Sequence, residues 1–410
     1  MIRYLLLTLY TLCATSVYAA DPVLFLPKAG LQPDELAVVI NIDDGLSRAI
    51  GEYYTKHRGI PVQNIIRIRF KPGLAAMEAS EFQRLWPQVL EQTPKSVQAY
   101  ALTWALPYRI GCMSSTSAFA TGYDTRYCAV KSCDPTQQSP YFASSSTAPY
   151  TDFKLRPTMA LSAQTLAAAK ALIDRGIASD HTHPKGTGYL LSTSDAARNV
   201  RAELFQQTVD LFGKQIHIEI KKSDTLRDAD DVLFYFTGLA YVKHLDTLRF
   251  VPGAIADHLT SAGGILDIKD QMPISRWIEA GATGSYGTVV EPCNFLQKFP
   301  VPTLVLNNYL NGETLIEAYW KSVAWPGEGL FIGEPLANPY GGYSLTWHGQ
   351  RATLRTQVLQ PGQYWLEGAA NPIGPYLASH PIEITHRGMQ DIELSDLTRP
   401  YYRLVRAPDS

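Results

Sequence analysis

The sequence predicts an α/β protein with a doubly wound, mainly parallel sheet, followed by a small all-β sandwich. Three observations predict this fold class. Continuous apolar runs such as Glu35–Asn41 and Val232–Thr237 are typical of strands buried on both faces. Segments with helical spacing alternate with such runs, which indicates parallel strands joined by right-handed crossovers. After about residue 340, short alternating runs bounded by Gly and Pro replace that rhythm.

The alternation can be followed element by element along the chain. Strands are predicted at 35–41, 65–70, 99–106, 188–192, 216–220, 232–237, 284–290 and 329–332. Helices are predicted from about 46 to a stop at Gly59 and Pro61, and at 75–93, 162–176, 196–212, 274–280 and 314–323. Sandwich strands are predicted at 352–358, 363–367, 382–385, 392–394 and 401–405. No internal sequence repeat is visible.

The first twenty residues predict a cleaved secretory signal peptide. A positive start at Arg3 precedes an apolar stretch and then small residues ending in Ala19-Ala20. The alternative is an anchor helix, but the apolar stretch is short for a membrane span. We therefore expect a periplasmic or extracellular protein without a membrane span in the mature chain. The expected domains are the signal at 1–20, the α/β body at 21–340 and the sandwich at 341–410.

Composition narrows the class of partner. The chain has 410 residues, with 36 Lys and Arg against 38 Asp and Glu, and a net charge of −2. Binding to nucleic acid or to an anionic membrane needs a basic surface, and this near-neutral charge balance does not indicate one. Phosphate-binding glycine fingerprints are absent from the sequence, and no cofactor is expected. The sequence leaves the oligomeric state open.

Cysteines concentrate in a long segment, 112–157, that is rich in Ser, Thr, Tyr and Pro. Four cysteines remain after removal of the signal, and an even number in an oxidising compartment favours disulfides. They are Cys112, Cys128, Cys133 and Cys293. Cys128 and Cys133 are close enough in sequence to pair, which would leave Cys112 for Cys293, but the sequence does not choose among the three pairings. A metal site is the alternative, but no two-by-two spacing with His appears, and none is predicted.

Candidate site residues follow from the rule that open α/β sheets bind ligands beyond the carboxyl ends of their strands. The candidate cleft consists of Asp43, Asp44, Ser114, Ser115, Gly238 and Glu291. The Asp43-Asp44 pair has two interpretations. It could act as a base or hold a metal, or one of the two could cap the helix that follows.

Several blocks of the sequence resemble an uncharacterised family of exported bacterial proteins. The blocks are Glu35–Arg67, Leu102–Asp124, Val251–Ala256, Gly281–Pro292 and Gly333–Tyr340. The family occurs chiefly in genomes that carry exosortase, so the resemblance implies a cell-envelope setting, and it implies no established activity. The last block has Gly-Glu-Pro where the family usually has Gly-Asp-Pro.

The layout is also distantly similar to the caspase-like fold of gingipain-type cysteine peptidases. That resemblance implies a His after one central strand and a Cys after the next. Here the position of the His is Leu239, after the strand Val232–Thr237. The next strand is expected at about Leu248–Val251, and the residues that follow it include no Cys. Without a thiolate the acyl-transfer chemistry has no nucleophile.

Two classes of function are therefore expected. The first is a non-catalytic envelope protein that binds a protein or glycan partner in an exosortase- or exopolysaccharide-associated pathway. The alternative is a hydrolase, either a cysteine peptidase that uses Cys293 with His244, or an enzyme that uses Asp43 and Asp44 with Glu291. The first class is preferred because the expected dyad positions hold neither His nor Cys.

Overall fold

The computed structural model describes residues 21–129, 131 and 133–407 of the chain. The predicted signal peptide, residues 1–20, lies outside the described residues. No helix in the described part is long and apolar enough to cross a membrane. The architecture is mixed α/β, with a large, mostly parallel sheet and additional small sheets that are mainly antiparallel. This confirms the predicted fold class at that level.

Twenty strands are assigned among the described residues. They are β1 (Val23–Phe25), β2 (Leu36–Asn41), β3 (Ile65–Ile68), β4 (Ala76–Met77), β5 (Ala99–Leu102), β6 (Arg109–Ile110), β7 (Met113–Ser114), β8 (Thr158–Ala160), β9 (Thr187–Ser192), β10 (His217–Lys222), β11 (Val232–Thr237), β12 (Phe250–His258), β13 (Gly284–Thr288), β14 (Gly329–Gly333), β15 (Tyr343–His348), β16 (Arg351–Thr356), β17 (Gly362–Ala369), β18 (Leu377–Ile384), β19 (Gln390–Leu394) and β20 (Tyr401–Arg406).

Nine α-helices accompany them in the same part of the chain. They are α1 (Gly45–Arg58), α2 (Ala79–Gln92), α3 (Ser115–Thr121), α4 (Pro149–Phe153), α5 (Leu166–Ser179), α6 (Phe205–Phe212), α7 (Ser275–Ala280), α8 (Pro302–Leu310) and α9 (Leu315–Trp320).

The large sheet has ten strands in the order β10-β9-β11-β12-β13-β14-β8-β5-β2-β3. It consists of two half-sheets that are each parallel throughout. The first half-sheet is β3, β2, β5, β8 and β14, and the second is β10, β9, β11, β12 and β13. Numbered along the chain within each half, both have the doubly wound order 2-1-3-4-5. The strand order is thus repeated in the structure, although no repeat is visible in the sequence.

The two half-sheets run in opposite directions. They meet at β13 and β14, which pair antiparallel from Gly284 opposite Gly333 to Thr288 opposite Gly329. Because carboxyl ends of parallel strands share one edge, the carboxyl ends of the two half-sheets lie on opposite edges of the ten-stranded sheet. Each half-sheet therefore has its own switch point, where the strand order reverses between its first and third strands.

Local sequence explains how the first half-sheet begins. All six residues of β2 are buried, as expected of a central strand covered on both faces. Helix α1 starts at once, with Asp44 accepting a hydrogen bond from the backbone N–H of Leu46, and it ends at Gly59 in the left-handed conformation. Gly51 faces β2 so closely that a Cβ there would lie 2.4 Å from a side-chain carbon of Ile40.

The Gly-Glu-Pro block at the end of β14 ties that strand to α1. Glu334 is fully buried and accepts hydrogen bonds from the Tyr54 hydroxyl at 2.7 Å and from Arg58 Nε at 2.9 Å. A buried carboxylate needs such partners, because an unpaired buried charge is costly. Glu334 therefore holds helix α1 and strand β14 together.

Two small sheets follow the body. One is β15-β16-β19, and the other is β1-β20-β17-β18, in which β1 pairs parallel with β20. Side chains from both sheets share a second hydrophobic core, which includes Leu24, Leu354, Leu366 and Leu404. The first described strand of the chain thus contributes to the same core as the last.

The long cysteine-bearing segment is folded over the body. Helix α3, within it, buries six of its seven residues and packs against β8 and β14. Two disulfides involve this segment, Cys112–Cys128 and Cys133–Cys293. The pairing of Cys128 with Cys133 that sequence proximity allowed is therefore wrong. Cys128 directly follows a short 3-10 turn, Thr125–Tyr127, where its Cα lies 5.7 Å from that of Cys112.

Candidate functional site

The carboxyl edge of the second half-sheet is closed at its switch point, between β9 and β11. The Thr193 hydroxyl, just after β9, donates to the carbonyl of Gly238 at 2.7 Å. A Cβ built on Gly238 would lie only 1.9 Å from the carbonyl oxygen of Arg198. The backbone that follows β9 therefore rests directly on the residue that follows β11. No room is left over Gly238 for a reacting group.

A buried ion pair underlies this edge. Asp257, near the end of β12, pairs with Arg201, and their side chains are 1% and 2% exposed. Arg201 also donates to the carbonyl of Thr237 at 2.9 Å. Sequence reasoning missed this pair, although an Asp-His dipeptide ending an apolar strand was a usable signal.

His258, the last residue of β12, is locked as a neutral side chain. Its Nδ1 accepts a hydrogen bond from the Trp277 indole N–H at 2.9 Å, so Nε2 carries the proton and donates to the Met272 carbonyl at 3.0 Å. Burial lowers the pKa of His258 to about 3. A histidine with both nitrogens engaged and no proton to gain near neutral pH cannot act as a general base.

Polar side chains complete the closure above β12. Arg198 Nε donates to the Thr260 hydroxyl at 3.0 Å, and that hydroxyl donates to Gln271 Oε1 at 2.7 Å. Arg198 is also paired with Asp195 at 2.9 Å. These residues satisfy one another, as expected of a structural network.

The position of the expected nucleophile also changes. The strand after β11 was predicted at about Leu248–Val251, but β12 runs from Phe250 to His258. Pro252 and Gly253 lie where the register between β11 and β12 shifts, so they mark an irregularity inside the strand and not its end. The residues beyond β12 are Leu259 and Thr260, and neither is a thiol.

The carboxyl edge of the first half-sheet is open. A cavity of about 300 Å³ lies at its switch point, between the ends of β2 and β5. Its lining is Asp44, Leu46, Gly73, Trp104, Ala105, Leu106, Ala163, Gln164, Leu266 and Asp267. A second cavity of about 280 Å³ shares four of these residues and continues along helix α5. We call the first of these the switch-point cavity.

The floor and rim of the switch-point cavity differ in chemistry. Trp104 and Leu266 are 3% and 6% exposed and form an apolar floor. Asp44 is half-buried, whereas Gln164 and Asp267 are exposed at the rim. Asp267 also accepts a hydrogen bond from the Tyr108 hydroxyl at 2.9 Å, and burial together with that bond raises the pKa of Tyr108 to about 12. Sequence reasoning found Asp44 but missed Trp104 and Asp267, the latter because it comes from the distant segment after β12.

Asp43 and Asp44 have different roles in the structure. Asp44 caps α1, accepting from Leu46 N at 2.8 Å, which confirms the capping interpretation. Asp43 is exposed and pairs with Arg69. Only Asp44 lines the cavity.

The other candidate residues lie elsewhere. Ser114 is buried, caps α3 and donates to the Gly329 carbonyl at 2.6 Å, and Ser115 is buried beside it. Gly238 and Glu291 follow strands of the second half-sheet, on the edge opposite Asp43 and Asp44. The six residues therefore do not form one cleft, because the sheet reverses direction at β13 and β14.

The alternative catalytic pair is Cys293 with His244. Cys293 is bonded to Cys133, and its backbone N–H donates to Glu291 Oε1 at 2.8 Å. His244 is half-buried in the connection between β11 and β12, in the left-handed conformation. Within the described residues no hydrogen bond joins His244 and Cys293. The carboxylate version is not assembled either, since Glu291 lies on the other edge from Asp43 and Asp44.

Fold and site together define an α/β protein with a duplicated strand order, one closed strand edge and one open one. No family model matches the chain, and no curated protein matches it. Two solved structures are weakly similar. One is titled "Structure of Protease", with 12% identity, a TM-score of 0.39 and coverage of 92% of this chain and 98% of that chain. The other is a complex of the Porphyromonas gingivalis RgpB pro- and mature domains, with 10% identity, a TM-score of 0.38 and coverage of 91% and 99%.

Proposed function

We propose that this is an exported, non-catalytic binding protein whose α/β body has a caspase-like layout. It would work in the cell envelope, periplasmic or extracellular, in the exosortase- or exopolysaccharide-associated setting that the sequence blocks imply. Two disulfides support a location outside the reducing cytosol. The domains in this proposal are those expected from the sequence, a signal at 1–20, the body at 21–340 and the sandwich module at 341–410, except that β1 pairs with β20 and so belongs with the module.

One observation carries the non-catalytic part of the proposal. At the edge where the gingipain resemblance would put a dyad, the backbone at Arg198 covers Gly238, and His258 is neutral and engaged at both nitrogens. A nucleophile and a base both need space for substrate, and this edge provides neither space nor a free base.

The open edge supports binding. The switch-point cavity lies where doubly wound sheets bind their ligands, and an apolar, partly enclosed cavity with a few polar groups is the usual form of such a site. The two carboxylates of its lining, Asp44 and Asp267, favour a cationic group, whereas its floor favours an apolar one. We therefore favour a partner protein that inserts a short segment with an apolar side chain next to Lys or Arg. A glycan partner is the other outcome of the test.

The test uses fluorescein-labelled hexapeptides that carry one Leu or Phe beside Lys. A second set, with Glu in place of Lys, serves for comparison. Fluorescence anisotropy should show binding of the Lys peptides and at least tenfold weaker binding of the Glu peptides. The Asp267→Asn variant should weaken binding of the Lys peptides about threefold to tenfold, since a rim charge contributes modestly.

Asp43→Asn is the matched control, because Asp43 lies in the same turn as Asp44 but outside the cavity. It should leave peptide binding unchanged. Binding that ignores the Lys-to-Glu change, or that responds equally to Asp43→Asn and Asp267→Asn, would contradict the peptide proposal. Binding of neutral oligosaccharides instead, lost in Gln164→Ala, would assign the cavity to a glycan.

The hydrolase alternative has its own test. Thiol titration of the folded protein should find no free thiol at Cys293, and an electrophilic cysteine probe should not label it. Turnover of peptide substrates that is abolished by His244→Ala would overturn the non-catalytic proposal.

A further inference from the structure

A larger cavity lies between the α/β body and the C-terminal module, and it shares no lining residue with the switch-point cavity. It has a volume of about 570 Å³ and is lined mainly by polar side chains. The body contributes the end of helix α8 and the loop near Ser144, and the module contributes the turns beside β17 and the segment around Arg387. We call it the seam cavity.

Side-chain amides dominate one wall of the seam cavity. Asn307, Asn308 and Asn311 come from the carboxyl-terminal end of α8, and the module adds Gln360 to the lining. Asn308 is 7% exposed, and its Oδ1 accepts from Asn307 Nδ2 at 3.0 Å. Its own Nδ2 has no hydrogen-bond partner among the described residues. A buried amide donor without a partner is costly, and a ligand acceptor would satisfy it.

Glu313 is the acidic group of the lining. Its Oε1 accepts from Lys321 Nζ at 2.8 Å, and its Oε2 is buried without a hydrogen-bond partner in the described part of the chain. Burial raises the pKa of Glu313 to about 7, although Lys321 opposes that shift. Burial therefore favours the protonated form of this carboxyl group, which can donate a hydrogen bond.

Cations outnumber this carboxyl group in the lining. Lys28 is already paired with Glu35 at 2.7 Å. Arg387 donates to Asn307 Oδ1 at 2.9 Å, and among the described residues it has no carboxylate within ion-pair distance. A guanidinium so placed can take a carboxylate in the two-pronged geometry that suits both groups.

We propose that the seam cavity binds a saccharide unit that bears a carboxylate, with Arg387 holding the carboxylate and the amide wall holding the hydroxyl groups. Amides suit hydroxyl groups because each side donates and accepts, and the volume of the cavity exceeds what a simple inorganic anion needs. This binding site is independent of the peptide site proposed for the switch-point cavity, since the two share no lining residue.

The experiment measures binding of D-glucuronate, D-glucose, acetate and inorganic phosphate to the folded protein by isothermal titration calorimetry. Glucuronate should bind at least tenfold more tightly than glucose or acetate. Arg387→Gln should weaken glucuronate binding at least tenfold, as expected for loss of a charge-assisted hydrogen bond, and Asn308→Ala should weaken it several-fold.

Arg351→Gln is the matched control, because Arg351 is an exposed arginine of the same module that does not line the cavity. It should leave glucuronate binding unchanged. Equal binding of phosphate and glucuronate would reduce the site to a simple anion site and overturn the proposal, as would unchanged glucuronate binding in Arg387→Gln. A polymer-derived glucuronate oligomer that binds more tightly than the monomer would identify a polysaccharide as the source.

Failure of this proposal is distinguishable from failure of the proposed function. Asp267→Asn should change peptide binding and leave glucuronate binding intact, whereas Arg387→Gln should do the reverse. An Asp267→Asn variant that lost both would show that the two cavities are not independent.

Discussion

The two half-sheets have the same strand order, but the carboxyl edge of the second is closed and that of the first is open. In the second, the chain leaving β9 passes over Gly238, and buried polar groups such as Asp257 and His258 find partners inside the protein. In the first, the chain leaving β2 enters α1 directly, and the switch point stays open beside Trp104. Strand order therefore places a potential site, and the connecting segments decide whether it exists.

The largest expected difference between the edges concerns their ion pairs. Arg201→Met would leave Asp257 as a buried unpaired charge, so the free energy of unfolding should fall by about 3–5 kcal/mol. Arg69→Met removes the exposed partner of Asp43 at the open edge and should cost less than about 1 kcal/mol. Urea denaturation of both variants measures this contrast. Equal losses would show that the second edge is not closed in solution.

The next largest expected difference is in the stability cost of replacing a glycine at each edge. Gly238→Ala places a Cβ against the Arg198 carbonyl, and a backbone atom cannot easily move away, so the cost should be about 3 kcal/mol. Gly45→Ala, after β2, meets nothing nearer than the Arg48 side chain at 3.7 Å and should be almost neutral. Thermal unfolding of the two variants compares them directly. A neutral Gly238→Ala would mean that the covering segment moves aside.

The pH dependence of stability should also differ between the two edges. Burial holds the pKa of His258 at about 3, against about 6.5 in an unfolded chain. At pH values between these two pKa values, His258 is protonated in the unfolded chain and neutral in the folded protein. Stability should therefore be lost as pH falls below about 6.5, by up to about 1.4 kcal/mol per pH unit from this group.

Replacing His258 with Gln should flatten the acid side of the stability profile, measured by urea denaturation from pH 7 to pH 4. His57→Gln, an exposed histidine on α1 of the first half, serves as the control and should keep the slope. An unchanged slope in His258→Gln would argue against the locked neutral imidazole.

The smallest effect concerns the helix cap at the open edge. Asp44→Ala removes the cap of α1 and should cost about 1 kcal/mol, whereas Asp43→Ala should cost less than about 0.5 kcal/mol. Chemical denaturation at neutral pH resolves a difference of this size. Equal costs would remove the distinction drawn between the two carboxylates.

Much of the fold could be predicted from sequence because its strands are buried on both faces. β2 and β11 lie within one residue of their predicted ranges, and Asp44 caps a helix as the capping interpretation expected. Strand β8, only three residues long between irregular segments, gave too little pattern to detect. The predicted end of β12 failed because Pro252 and Gly253 usually stop a strand, whereas here they lie in a register shift.

The candidate site was less predictable because it depends on strand direction. Nothing in the sequence indicates that β14 pairs antiparallel with β13, and that single pairing separates Glu291 from Asp43 and Asp44. Asp267 lies more than two hundred residues after Asp44 along the chain, although both line the switch-point cavity. The partner of Cys293 is likewise determined by tertiary packing. Contacts of this kind depend on the whole fold and have no local pattern.

The pairing of β1 with β20 has a mechanical consequence. The two strands are parallel, from Val23 opposite Tyr401 to Phe25 opposite Arg403. Tension applied before β1 and after β20 would therefore pull them in shear, loading their hydrogen bonds together. The force would pass through the C-terminal module and bypass the ten-stranded sheet, so a chain held at both ends could keep its body unstrained.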